Sequence, residues 1–344
     1  MRSAFLGLVV SACLLPAWSQ QPQQEKPQSQ PPPQQQQQPQ PQPQPPVRSD
    51  QIPTYRKTVN LVNVFFNVKD KHGALVPNLK KEQFELLEDG KPQTIKYFSA
   101  EANQPLTLGI LIDSSGSMQR MLPEEKVVGA DFLREVITDK DLAFVISFDI
   151  SVDLLQDLTS NVHALRAGLD RARINVGGGS GGIPGIGQGP VPISRPKGTL
   201  LYDGVFLASD EVLSRQVGRK AMIILTDGVD QGSRETLKNA IESAQKADAI
   251  AYVLLISDPQ YGSDSHAMGQ LSEQTGGRLI VVNNPDKLQK AFAQISEELR
   301  SQYSIGYTPT NEKHDGSFRK IEIRAKDMHI QARKGYYAPV DENR

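Results

Sequence analysis

Cysteine is almost absent: among 344 residues only Cys13 carries a thiol. No intramolecular disulfide can form, so stability has to come from a core of ordinary size. Net charge is scarce as well. The 38 Lys and Arg residues against 39 Asp and Glu leave a formal charge of −1. That balance removes any long-range attraction to nucleic acid or to an anionic membrane surface. Aromatics make up 6% of the chain, and no basic patch is interleaved with them. No later segment has the roughly 18 consecutive apolar residues of a membrane span, so the mature chain reads as soluble. The 5 histidines include no His-x-x-x-His pair and have no cysteine partners, which argues against zinc.

Enzyme signatures are missing too. No Gly-x-Ser-x-Gly elbow stands between a strand and a helix, as a hydrolase nucleophile would require. Lys197-Gly198-Thr199 reverses the Gly-Lys order that closes a phosphate-binding loop, and its spacing fails. An aspartyl phosphatase would want a second Asp near Asp113, and Ser115 stands there instead.

Composition divides what is present into segments. Residues 1–19 read as a secretory leader: Arg2 supplies positive charge, 4–15 is apolar, and Ala17-Trp18-Ser19 puts small residues before a cleavage ahead of Gln20. Val10-Ser11-Ala12-Cys13 also resembles a bacterial lipobox, which leaves open a lipid tether through Cys13 in place of release or a periplasmic location. Residues 20–53 read as a Gln/Pro-rich, disordered linker. Proline fixes φ and removes a donor, so the Gln/Pro tract should extend on the order of 80 Å. Residues 54–103 have strand character at 59–68, 84–87 and 94–98, with a turn at 69–73 and a hairpin signal at 88–91. A glycine-rich stretch at 177–190 reads as a mobile surface loop. Strand patterns return over 301–340, at 303–308, 318–325 and 329–334.

Between the flanks, over 104–300, continuous apolar runs alternate with helical patterns. The runs are 106–112, 142–148, 221–225, 250–256 and a shorter 279–282. Continuous rather than alternating runs mark strands buried on both faces. Helices are expected at 124–137, 162–172, 200–213, 234–247, 266–275 and 287–300, with Pro123 and Ser233 as start signals. This alternation predicts a doubly wound, mostly parallel α/β sheet with helices on both faces. The β-rich ends are each too short for a good sandwich, so 301–340 is expected to pair with 54–103 in a small β-domain into which the α/β domain is inserted.

The sharpest feature is Asp113-Ser114-Ser115-Gly116-Ser117, directly after the run 106–112. It places a carboxylate and two hydroxyls at alternating positions just beyond a strand. Oxygen donors there suit a hard divalent cation, and open parallel sheets bind ligands at that end. Thr199 and Asp227-Gly228 lie at comparable junctions. Taken singly, each piece could be a helix cap or a turn. Asp149, Asp153 and Asp157 read as solvated, Asp203 as exposed or as a neighbour of the site, and Asp230 as shaping the loop of Asp227.

In order and placement, Asp113-x-Ser115-x-Ser117, Thr199 and Thr226-Asp227-Gly228 resemble the three parts of the metal-ion-dependent adhesion site of the von Willebrand factor A-type family. The resemblance spans about residues 105–300. With Asn78-Leu79, Phe84, Glu88-Asp89-Gly90-Lys91 and Arg300-Ser301-Gln302-Tyr303 added, the whole chain is similar to secreted A-domain-related proteins of acidobacteria. The resemblance implies that Ser115 and Ser117 bind Mg²⁺ (or Mn²⁺ or Ca²⁺) directly, and that Asp113 and Asp227 bind it directly or through water. Thr199 would join when a partner is engaged. It implies a secreted, non-enzymatic adhesion protein that takes an acidic residue of a protein or matrix partner on the metal. It also implies that a shift of the last helix, 287–300, couples engagement to affinity. Two other uses stay open: a structural or assembly role with a fold-stabilising ion, and a metal-dependent hydrolase for which the sequence offers no base.

Overall fold

The computed structural model describes residues 61–100, 104–174, 198–257 and 263–340. The expected leader, the Gln/Pro linker and the glycine-rich loop lie outside the described residues. The N-terminal flank supplies β1 (Val62–Lys69), β2 (Phe84–Glu88), β3 (Lys91–Pro92) and β4 (Ile95–Ser99). The central region runs β5 (Leu106–Asp113), α1 (Leu122–Val136), β6 (Leu142–Phe148), β7 (Val152–Thr159), α2 (Val162–Arg171), α3 (Leu201–Leu207), β8 (Arg219–Thr226), α4 (Leu237–Lys246), β9 (Ala249–Ile256), α5 (Ser265–Thr275), β10 (Leu279–Val282) and α6 (Pro285–Arg300). The C-terminal flank adds β11 (Tyr303–Tyr307), β12 (Phe318–Ala325), β13 (His329–Ala332) and β14 (Gly335–Tyr337).

The central sheet has six strands in the order β10-β9-β8-β5-β6-β7. All neighbours are parallel except β6 and β7, which pair antiparallel with register shifts. Strand β5 is buried along its whole length, as a central parallel strand covered on both faces must be. Its side chains alternate between two cores. Leu108, Ile110 and Ile112 join Phe132 and Leu133 of α1, Leu165 of α2 and Phe292 of α6. Leu111 joins Leu201 and Val205 of α3, Ala244 of α4 and Met268 of α5. Helices therefore cover both faces of a doubly wound sheet.

The flanks make two four-stranded sheets, β13-β1-β11-β4 and β14-β12-β2-β3. Strand β11 lies between β1 and β4, antiparallel to both, so residues far apart in sequence share one ladder. Apolar side chains of both sheets meet in a third core containing Val64, Phe66, Leu86, Ile305, Tyr307 and Ile323. Phe66 stacks on Tyr303 at 5.5 Å and meets Phe84 edge-on at 5.3 Å. Such pairs add to simple burial by about 0.5–1.5 kcal/mol each. Buried Glu88 accepts the Tyr307 hydroxyl at 2.7 Å and the Tyr336 hydroxyl at 3.0 Å, which gives the core's polar tips a partner.

Candidate functional site

The chain leaves β5 toward β6 on one side and later returns to place β8 on the other. Helices α1 and α3 depart on opposite faces. The crevice beyond the carboxyl ends of β5 and β8 is therefore the switch point of the sheet, where ligands bind in open α/β folds. Asp113 is the last residue of β5, and Asp227 directly follows the end of β8.

Asp113 is fully buried. Its Oδ1 accepts the Ser115 backbone N–H at 2.9 Å, which turns the chain sharply after the strand. Its Oδ2 accepts the Thr226 hydroxyl at 2.7 Å, joining the tips of β5 and β8. The turn brings the Ser115 and Ser117 hydroxyls within 3.0 Å of each other. Burial grades outward, with Asp113, Ser115, Thr199 and Asp227 buried and Gly116 exposed. Burial pushes the Asp113 carboxyl up to about 7, against hydrogen bonds from Ser115 and Thr226 that lower it, and the charge of Asp227 adds to the rise.

Thr199 reaches this edge by backbone pairing. Its N–H and C=O exchange bonds of 3.0 Å with Gln231, in the loop that follows Asp227. The adjacent Leu200 N–H bonds the Asp149 carbonyl at 2.8 Å, tying in the loop after β6. Asp149 is buried rather than solvated, because its Oδ2 accepts the Ser114 hydroxyl at 3.1 Å. Asp227 turns its own loop by accepting the Val229 N–H at 3.0 Å. Gly228 has φ +83, and a Cβ there would lie 2.8 Å from Met268 Cγ and 3.0 Å from the Asp264 carbonyl. Only glycine fits that bend without displacing α5.

Asp230 accepts the Ser233 hydroxyl at 2.6 Å and the Tyr202 N–H at 3.1 Å, so it braces α3 against the Asp227 loop. Asp203 accepts the Glu235 N–H at 2.8 Å and belongs to the same brace. Two participants escaped the sequence reading. In sequence Thr226 is only one member of a triplet, yet its hydroxyl holds Asp113. Glu125, on the first turn of α1, is buried to 1% exposure, and neither of its carboxyl oxygens has a hydrogen-bond partner among the described residues.

The arrangement offers hydroxyl and carboxylate oxygens and little else. Among the described residues no three His, Cys, Asp or Glu side chains lie close enough to hold an ion by themselves. Ser115, Ser117 and Thr199 would have to supply donors beside Asp113 and Asp227. Such an oxygen set matches a hard divalent cation and not a soft one.

No family model matches the chain, and no curated protein does. Solved structures do, and in fold the chain is similar to von Willebrand factor A-type proteins. Proximal thread matrix protein 1 from the mussel byssus aligns at 15% identity and a TM-score of 0.48, covering 62% of this chain and 51% of its own. The chain thus spans about half the length of that protein. A von Willebrand factor type A protein from Catenulispora acidiphila aligns at 12% identity and TM-score 0.45, covering 82% of this chain and 74% of its own. The vWF domain of the type V pili tip protein Mfa5 from Porphyromonas gingivalis aligns at 12% identity and TM-score 0.41, covering 56% and 94%. Among the described residues no helix is long and apolar enough to cross a membrane.

Proposed function

We propose that this chain is a secreted, non-enzymatic binding protein that grips a partner through a divalent cation. Asp113, Ser115, Ser117, Thr199 and Asp227 would hold the ion, Mg²⁺ in the first instance, with Mn²⁺ or Ca²⁺ served by the same donors. The observation that carries the reading is the shortage of negative charge in this donor set. Two carboxylates balance a divalent ion without the excess negative charge of an all-carboxylate cage, and the neutral hydroxyls leave it able to take one more anionic oxygen. A carboxylate from a protein or matrix partner is the matching group. The described partner of the Ser115 hydroxyl is another hydroxyl rather than a base, which favours binding over acyl transfer.

Adhesion is tested by exposing immobilised protein to a cell-envelope extract in Mg²⁺. Retained partners should be released by EDTA and should not bind Asp113→Ala. Retention of every partner in EDTA would turn the reading toward a structural ion, and turnover of a phosphoester or peptide lost in Asp113→Ala would turn it toward a hydrolase.

The site also sets a pH dependence. The Asp113 carboxyl rises on folding from an ordinary 3.8 to about 7. Between those values the native state binds a proton that the unfolded chain has released. The stability this contributes is present below pH 4 and is lost as pH climbs through about 7. Metal uptake has the opposite slope, because the ion requires the carboxylate. Mg²⁺ affinity measured by calorimetry should strengthen up to about tenfold per pH unit between 5 and 7 and then level off. Equal affinity at pH 5 and pH 8 would contradict this.

A further inference from the structure

Glu125 is unusual among the buried charged residues. Its backbone N–H bonds the Met121 carbonyl at 2.9 Å, so it sits on the first turn of α1, entered directly from the loop that carries Ser115 and Ser117. Its exposure is 1%, and both carboxyl oxygens are shut off from solvent with no hydrogen-bond partner among the described residues. Nor does any described Lys or Arg pair with it. Other buried carboxylates of the fold are satisfied: Glu88 by two tyrosines, Glu298 by Lys69 and Gln331. A carboxyl buried without a partner is costly, and such groups in native folds call for an explanation.

Two features bear on an acid in the turn that follows the Ser115 and Ser117 loop. The positive end of the α1 dipole favours an anion on that turn. The Glu125 carboxyl is also held well above its ordinary range, first by burial and then by the charge of Asp113. A buried acid without a partner is relieved either by holding its proton or by a nearby cation, and only the cation lets it stay ionised. Since no three carboxylates here are close enough to ligate an ion together, direct coordination by Glu125 is not the expected mode. Divalent ions of this kind keep several of their waters, which are strong hydrogen-bond donors.

We propose that Glu125 is a positioning residue of the metal site, whose carboxylate accepts a hydrogen bond from a water held by the ion. This rests on the reading of Asp113 and its neighbours as a cation site and adds a member to it. It explains why a helix first turn, where a solvated Glu would be unremarkable, buries its acid without a partner. Losing such an outer partner commonly weakens metal binding 10- to 100-fold.

The test is calorimetric titration of MgCl₂ into wild type, Glu125→Gln and Glu125→Leu, with Asp113→Ala as the control that abolishes the site. Thermal unfolding without Mg²⁺ is measured on the same proteins. Both Glu125 variants should bind Mg²⁺ at least about tenfold more weakly. Their unfolding midpoints without Mg²⁺ should equal or exceed that of wild type, because an unpaired buried acid has been removed. Opposite signs in the two measurements separate a role toward the ion from a role in the core. Variants that bind Mg²⁺ as tightly as wild type would overturn the inference while leaving the metal site intact. So would a Glu125→Gln protein that fails to fold without Mg²⁺. Absence of Mg²⁺ uptake by wild type would overturn both readings.

Discussion

Saturating Mg²⁺ should raise the unfolding midpoint of the wild-type protein, and Asp113→Ala should abolish the rise. At one hundred times the dissociation constant, an ion bound only by the native state adds about 2.7 kcal/mol. For a folded body of this size that is roughly 5–10 °C. The effect hinges on Asp113 because this side chain is the deepest in the site and makes both of the bonds that shape it, to Ser115 and Thr226. Ala removes the charge and both acceptors. Asp113→Asn is the finer probe, since its amide oxygen can still accept one of these bonds while the negative charge is gone. It should retain most of the metal-free stability and lose most of the Mg²⁺ increment. The measurement is thermal unfolding by circular dichroism in MgCl₂ or EDTA. Identical midpoints for wild type and Asp113→Ala under both conditions would sink the cation site.

The parts of the fold that could be read from the sequence are those in which one residue pattern has one structural solution. The runs 106–112, 142–148 and 250–256 are solidly apolar because both faces of those strands are covered, and each lies within an observed strand. Strand β7 carried no such signal. It is an edge strand with a bulged register, and its two charged residues, Asp153 and Asp157, face solvent within it. The helix expected at 200–213 keeps α geometry only to Leu207, then widens and tightens through 208–215. Buried Ser209 donates to the Val205 carbonyl at 2.7 Å there, a local bond that competes with helix geometry. Ser233 was expected to open the next helix. Its hydroxyl is drawn to Asp230 instead, and Thr236 caps α4 by accepting the Asn239 N–H at 3.2 Å. At the site, the order Asp113, Ser115, Ser117, Thr199, Asp227 stands out in the chain because each falls at a strand or helix end. The bond from Thr226 and the orphaned carboxyl of Glu125 do not stand out. Both are facts about which neighbour is present in space, and a Thr ending a strand or a Glu opening a helix is ordinary in sequence.

The largest expected loss of stability away from the site comes from Glu298→Ala. Glu298 lies in the last turn of α6, and its side chain is 3% exposed. Its Oε1 pairs with Lys69 Nζ of β1 at 3.0 Å and with Arg278 Nε at 2.8 Å, and its Oε2 accepts the Gln331 amide of β13 at 3.1 Å. Its backbone carbonyl accepts the Asn67 amide at 2.7 Å. One residue thus joins the last helix of the α/β unit to two strands of the flanking sheet. Truncation leaves the Lys69 ammonium 13% exposed with its carboxylate gone, which is the costly way to break a buried pair. The loss should be about 3 kcal/mol, at the lower end for buried pairs because Arg278 can turn partly to water. Urea denaturation would read it as a drop in midpoint without a change in slope. The exposed pair Arg134–Asp131, also at 3.0 Å, is the control, and its loss should cost no more than about 0.5 kcal/mol. A Glu298→Ala cost equal to that control would mean that water replaces the network. A cost near 3 kcal/mol carries a functional corollary. Helix α6 feeds straight into β11, so it cannot slide along the sheet without breaking these bonds or carrying β1 with it. Any coupling between partner engagement and α6 would then have to pass through the flanking sheet.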